Sequence, residues 1–379
     1  MSQSLSPSNE SQSIVTNVDV LVRADISFAL FREPGHDPVL VLQKDSRETC
    51  REHFADITGT GFVLSPFAEG QGHPVVFIRA ELVYRGWQKV AHGLAAATET
   101  CRREVCVPPF AVPTCEELKT RLYSCDPDSG YAGSLSAFLD DLRANSFKKL
   151  VLSRSQDIPG TFSAGRIFLK ACDRYPDALV SLVHGSCGTW IGASPEILVS
   201  GSQMRGWTTM ALAGTHDRGS SEPWDSKNRS EQAIVADYIR QALTPYAAEL
   251  EEDGPKSSPA GTVEHLRTDF NFALKRGAAI RDVVQALHPT PAVCGLPREE
   301  ARRRILTTES LDRRYYAGFL GWWDNGMAAH LVVNLRCLKL SRSGARLYAG
   351  GGILPESTLD LEWRETCGKM CTMLALLGE

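Results

Sequence analysis

Short apolar stretches crowd residues 178–213: Ala178–His184, Thr189–Ile191, Glu196–Ser200, Met204–Trp207 and Met210–Ala213. The breaks between them carry Gly, Ser or Pro and are too short to hold helices. Strands joined by such tight turns pair antiparallel, because a parallel return needs a crossover of about a dozen residues. A regular β–α alternation is therefore excluded. Similar stretches occur at Val18–Ala24, Ile26–Leu30, Val75–Ile78, Ala80–Tyr84, Lys149–Arg154, Ala328–Leu338 and Ala345–Gly350. Helical spacing appears at Glu116–Leu122, Leu135–Ala144, Ala164–Arg174, 225–248, Ala278–Leu287, Arg298–Ile305 and Thr358–Leu377. Strands clustered in runs, with helices grouped between them, predict an α+β fold with large antiparallel sheets. Three segments read as connections or a tail: the Ser-rich residues 1–14, the Pro-rich 107–115, and 252–262 with its Gly, Pro and Ser.

At 379 residues the chain is long enough for one large domain or two ordinary ones, and spacing alone leaves that open. Lys and Arg number 41 against 45 Asp and Glu, a net charge of −4, which gives no support to nucleic-acid binding. No apolar run approaches the roughly 18 residues of a membrane span. The first basic residue is Arg23 and no apolar segment follows the start, so no secretory signal is expected. The 11 cysteines, odd in number and set among apolar neighbours, fit reduced thiols. We expect a cytoplasmic protein.

The last helix concentrates polar chemistry. Glu362, Glu365 and Lys369 fall at i, i+3 and i+7 and share one face, separate from the apolar face of Trp363, Cys367, Met370, Leu374 and Leu377. The run Gly350-Gly351-Gly352 lies just before this helix, where backbone amides can meet a ligand closely. Two readings fit: a site for a hard divalent cation and an anion, or a solvated face with a Glu365–Lys369 ion pair. Glu231 on the 225–248 helix, Glu196 after Pro195, and Lys149 at the head of an apolar strand each read either as surface charges or as site groups. Arg336, inside an otherwise apolar stretch, needs a carboxylate partner, either internal or brought by a ligand. There is no zinc, dinucleotide, P-loop or nucleophile-elbow motif.

Taken together, the segments KLVLSR (149–154), GASPEIL (192–198), LAGTHDRG (212–219), SKNRSEQ (226–232), HPTPAVCG (288–295), YYAGFLGW (315–322), VVNLRCLKL (332–340) and YAGGGILPES with EWRETCGKM (348–370) resemble the chorismate-utilising enzymes. Within that family the pattern is most similar to the isochorismate synthases. The resemblance implies one α+β domain over 15–379, its 146–379 part a catalytic core and its 15–145 part variable. It implies Glu231 and Glu365 as Mg²⁺ carboxylates, Glu362 acting through water, Glu196 as general acid and Lys149 as general base. It further implies Arg336, Tyr316 and the Gly350–Gly352 amides as the cradle for substrate carboxylates, with Thr215, His288 and Lys369 as further contacts. The implied reaction is Mg²⁺-dependent conversion of chorismate to isochorismate, feeding menaquinone or siderophore synthesis.

The residue types also sort the family. Amine-transferring members carry Gln at the position of Lys149, and aminodeoxychorismate synthases typically carry Lys where this chain has Ala213. Salicylate synthases keep the lysine and then expel pyruvate, and HPTPAVCG is more similar to the isochorismate pattern. Lys149 implies water as nucleophile, so no glutaminase subunit is expected. Asn228 and Gln232 depart from the family's usual KDRxEH, and Cys294 replaces a usual Gly or Ser.

Overall fold

The computed structural model describes residues 9–45, 47–99, 113–217, 219, 223–260 and 263–378. In chain order the elements begin with α1 (Asn9–Arg23), β1 (Phe28–Arg32), β2 (Val39–Leu42), β3 (Thr49–Arg51), β4 (Thr60–Ser65), β5 (Val75–Arg79) and β6 (Leu82–Arg85). Then come α2 (Trp87–Thr98), α3 (Cys115–Ser124), α4 (Ser129–Arg143), β7 (Lys149–Pro159), α5 (Ala164–Arg174), β8 (Leu179–Gly185), β9 (Gly188–Ser194), β10 (Ile197–Ser202) and β11 (Gly206–Asp217). The rest comprises α6 (Ser226–Leu243), β12 (Ala247–Ala260), β13 (Val263–Leu274), α7 (Ile280–Leu287), β14 (Gly295–Leu296) and α8 (Arg298–Thr308). The chain closes with β15 (Phe319–Asp324), β16 (Ala328–Val333), β17 (Cys337–Ser341), β18 (Gly344–Ile353) and α9 (Leu359–Leu377).

The strands form two 9-stranded sheets. The first runs β14-β7-β18-β17-β9-β8-β1-β2-β6 and the second β12-β13-β11-β10-β16-β15-β4-β5-β3. Neighbouring strands pair antiparallel, as the tight turns of 178–213 require. The sheets meet through large side chains, with Phe31 of β1 at 4.9 Å from Phe62 of β4 and 6.3 Å from Trp322 of β15. One apolar core runs from Ile14 to Leu377. The segment before β7 takes part in both layers, giving β1, β2 and β6 to the first sheet and β3, β4 and β5 to the second.

The chain changes sheet at two neighbouring places. Ser194 ends β9 in the first sheet and Ile197 begins β10 in the second, so Pro195 and Glu196 bridge the layers. Val333 ends β16 in the second sheet and Cys337 begins β17 in the first, so Asn334, Leu335 and Arg336 bridge back. The crossings are tied together: Ser194 Oγ donates to Val333 O at 2.6 Å, and Val333 N donates to Glu196 O at 2.9 Å. Arg336 turns the second crossing at φ 47°, a left-handed conformation uncommon outside glycine.

Several elements differ from the sequence reading. Val18–Ala24 is not a strand, and the expected tail already enters α1 at Asn9; residues 1–8 lie outside the described residues. Ile14, Val18 and Leu21, at i, i+4 and i+7, are all buried, and this helical stripe outweighs the β-branched run around it. The expected loop at 252–262 is mostly β12, paired to β13 through a register shift between Asp253 and Lys256. As an edge strand β12 tolerates Pro255. Residues 261 and 262, like most of the Pro-rich 107–115 segment, lie outside the described residues. Met204–Trp207 is no separate strand, for Met204 is a 95% exposed turn residue. Ala328–Leu338 breaks into β16 and β17 at the crossing.

Candidate active site

The crossings open a cavity between the sheets, lined by Pro195, Glu196, Glu231, His265, Tyr316, Arg336, Gly350, Gly352 and Lys369 among others. They reach it from both crossings, from α6, β13, β18 and α9, and from the segment before β15. Pro195 keeps the crossing out of either ladder, and Glu196 is left 3% exposed between the layers. Burial pushes the Glu196 carboxyl up to about 7, against the partial opposition of the Lys149 charge. A carboxyl in that range holds its proton near neutrality and can donate it.

Lys149, at the head of β7, is fully buried and lies one layer behind the wall, its Nζ 2.8 Å from Glu231 Oε1. Burial pushes the Glu231 carboxyl up, but the charges of Lys149, Lys369 and Lys227 outweigh this and hold it below the usual carboxylate value. Asp225 caps α6, its Oδ1 accepting from Asn228 N at 2.7 Å, and Glu231 follows on the helix.

The second acid pair stands on α9. Glu365 Oε1 is 2.6 Å from Lys369 Nζ, which also donates to Gly350 O at 2.9 Å. Glu362 is 1% exposed, its Oε1 3.3 Å from Lys227 Nζ and its Oε2 without a hydrogen-bond partner among the described residues. Burial, reinforced by Glu365, raises its pKa.

The glycine run is strand, not loop. Gly350, Gly351 and Gly352 pair with Ser153, Leu152 and Val151 of β7, while the pairing of β18 with β17 stops at Leu347. Beyond that point, among the described residues, no strand pairs with the run on the β17 side. Side chains would not fit beside the acids: a Cβ on Gly352 would lie 2.3 Å from Glu231 Oε1, and one on Gly351 3.0 Å from Glu362 Oε2. The three carboxylates therefore converge on bare backbone.

At the opposite wall Arg336 Nη2 lies 3.2 Å from His265 Nε2, and Arg336 Nη1 donates to Thr372 Oγ1 at 3.3 Å. Burial, with the Arg336 charge beside it, pushes His265 down to about 3, so the ring is neutral. Nε2 then accepts from Arg336, and Nδ1–H donates to Gly214 O at 2.8 Å. Among the described residues no carboxylate is hydrogen-bonded to the arginine, which suits it to take one from a ligand. Tyr316 stacks on Tyr348 at 5.5 Å, and both line the cavity.

A match to the family model described as chorismate binding enzyme covers residues 47–378. The chain belongs to the chorismate-binding enzyme family. Its sequence is 34% identical over 263 residues to the Salicylate biosynthesis isochorismate synthase of Pseudomonas aeruginosa, covering 65% of this chain and 54% of that protein. It is 36% identical over 205 residues to Isochorismate synthase DhbC of Bacillus subtilis, covering 50% of each. The matched part thus spans about half the length of these relatives. In three dimensions it is similar to the crystal structure of DhbC from Bacillus anthracis, with a TM-score of 0.74 at 25% identity over 97% of this chain and 99% of that one.

Most residues singled out in this family member from sequence gather at the cavity or directly behind it. His288 does not. It packs beside Phe319 at 5.0 Å, away from the lining, and burial pushes it down to about 3. Its cis bond to Pro289 turns the chain behind the wall. The histidine at the cavity is His265, which sequence reasoning missed. Its signal was a polar residue in an alternating strand, Val263–Leu274, opposite Thr215 in the register. The Thr215 side chain lies outside the described residues. Of the departures from the family pattern, Gln232 is buried and its Nε2 donates to Thr268 Oγ1 at 2.7 Å, tying α6 to β13. Cys294 is fully buried, and nothing in the structure explains its choice over Gly or Ser.

Proposed function

We propose that this chain is an isochorismate synthase, a Mg²⁺-dependent isomerase that converts chorismate to isochorismate. The observation that carries the reading is the buried Glu196 at the cavity, its carboxyl pushed up to about 7, with the buried Lys149 behind the wall close enough to act on it. The names of the matched relatives support the same activity.

Glu231, Glu362 and Glu365 offer the oxygen donors a hard cation takes, and the partnerless Glu362 Oε2 beside Gly351 is a position that a cation or its water would satisfy. Each carboxylate is held by a lysine, and among the described residues no ready-made metal cage of His, Cys, Asp or Glu exists. Bound there, Mg²⁺ would neutralise the ring carboxylate of the substrate and the charge that develops on it.

The chain's own groups do the rest. Arg336, fixed by His265 and Thr372, binds a substrate carboxylate and orients the ring. Tyr316 and the β17-side edge of Gly350–Gly352 close the other side. Lys149, once it has given up its own proton, takes one from the water that attacks ring C2. Glu196 gives its proton to the C4 hydroxyl as that C–O bond breaks, and the double bonds shift between them. One water enters and one leaves, so substrate and product are isomers and no redox partner is needed.

We further propose that residues 15–379 act as one catalytic domain and that it works in the cytoplasm, a setting that its free thiols suit. The deciding experiment incubates purified protein with chorismate, with and without Mg²⁺, and separates the products by chromatography. Isochorismate formed only with Mg²⁺ and without pyruvate is the expected result. Salicylate with pyruvate would move the chain to the lyase branch, and no turnover in a folded sample would overturn the reading.

A further inference from the structure

Strand β7 carries Lys149, yet its backbone is paired on both sides over only part of its length. On one side β18 follows it from Leu150 to Pro159. On the other, β14 covers only Lys149 and Leu150, and Cys294 O then accepts from Val151 N at 2.8 Å. Beyond that point Val151 O and Ser153 N face a place where, among the described residues, no strand lies.

Two side chains fill it. Arg313 Nη2 donates to Val151 O at 2.8 Å, and Glu309 Oε1 accepts from Ser153 N at 2.6 Å. The same two residues form a two-point ion pair, Nε to Oε2 and Nη2 to Oε1, both at 2.6 Å, with each side chain only 2% exposed. Arg313 Nη1 donates to Val293 O at 2.7 Å, the guanidinium lies 4.3 Å over the Phe67 ring, and Arg313 O accepts from Tyr316 N at 2.9 Å. Val151, Val293 and Tyr316 all line the cavity.

A buried ion pair is weak evidence for stability, because desolvation offsets much of the attraction. Here its geometry does something an apolar pair could not. It reproduces the donor and acceptor of a neighbouring strand and ties β7 to Val293, while the backbone of Arg313 holds Tyr316. We propose that Glu309 and Arg313 are positioning residues for the reaction, standing in for an absent strand along β7 and so fixing Lys149 against the wall formed by Val293 and Tyr316. This rests on Lys149 being the base of the proposed reaction.

The test uses the full chain as Arg313→Lys, which keeps the charge but loses the fork, and as the neutral pair Glu309→Gln with Arg313→Gln. Two measurements are made: steady-state kinetics on chorismate with saturating Mg²⁺, and amide hydrogen exchange of the 150–154 segment by mass spectrometry. In Arg313→Lys we expect kcat to fall at least tenfold while KM for chorismate stays within twofold, since Arg336 and Lys369 stand on other elements. In both variants we expect exchange of 150–154 at least tenfold faster than in the unaltered protein, with other β7 peptides unchanged. Exchange unaltered in both variants overturns the brace, as does kcat unchanged in a folded Arg313→Lys protein. A KM that rises in step with the loss of kcat also overturns it, because the pair would then shape binding and not the base. If the unaltered protein fails to turn over chorismate, the functional reading fails, and the exchange data still decide whether the pair braces β7.

Discussion

Glu196 sets the pH behaviour expected of the site. The Glu196 carboxyl is raised from an ordinary 4.5 to about 7, chiefly by burial. The folded protein thus keeps a proton that the unfolded chain loses over that window. Its contribution to stability is full below pH 4.5 and declines as pH rises through about 7. The proposed reaction needs the protonated acid, so activity is expected to fall above about pH 7. Glu196→Gln mimics the protonated form: it should lose nearly all turnover, yet match the unaltered protein in Tm at pH 4 and exceed it at pH 8. Thermal scans at both values check the sign, and an equal Tm gap at both would show that Glu196 does not titrate in this window. Lys149→Ala should abolish water addition; near-normal turnover would place the base elsewhere. These charged residues were legible because ordered motifs carried them. His265 was not, because one histidine among the many polar residues of an alternating strand carries no distinguishing signal until the fold sets Arg336 beside it.

Elements were legible where one periodicity ruled. The α5 boundaries, Ala164–Arg174, match the spacing, and Ser163 caps the helix by accepting from Arg166 N at 3.1 Å. Reading failed where two signals competed: α1 carries a β-branched run on a helical stripe, and β12 carries turn residues on an edge. The glycine run shows the same limit, since spacing marked it as a close-approach segment but could not place it within β18. That placement yields a prediction. A Gly352→Ala methyl would lie 2.3 Å from Glu231 Oε1 and 2.9 Å from Lys149 Cε, and the buried lysine has little room to yield. We expect at least a tenfold loss of turnover with a small change in Tm. Gly133→Ala in α4 is the control, with nothing within 4 Å of the new carbon. There helix propensity predicts a gain of about 0.5–1 kcal/mol in denaturant unfolding with turnover intact. Equal turnover losses in both variants would mean that the glycine run has no special role.

At the scale of the whole molecule, the two-layer architecture follows from the turns, but the order of strands does not. Nothing local tells β9 to stay in one sheet and β10 to begin in the other; that is decided by which apolar faces meet, as Phe31 does with Phe62. The site exists only because the crossings at Pro195–Glu196 and Asn334–Arg336 adjoin, with α6 and α9 bringing their acids to the same gap. An ion held by Glu231, Glu362 and Glu365 would therefore join two helices that lie far apart in sequence, and would bind the folded chain alone. Such binding adds about 2.7 kcal/mol at a hundredfold excess over the dissociation constant. For a chain of 379 residues that is a rise in Tm of about 3 °C. Glu365→Gln removes one donor and leaves Lys369 without its 2.6 Å partner, so the Mg²⁺-induced rise should shrink below about 1 °C while the metal-free protein still unfolds cooperatively. Scanning calorimetry of both proteins across a Mg²⁺ series measures this without any substrate. An undiminished rise in Glu365→Gln would place the cation away from α9, and the three acids would then serve only to hold their lysines.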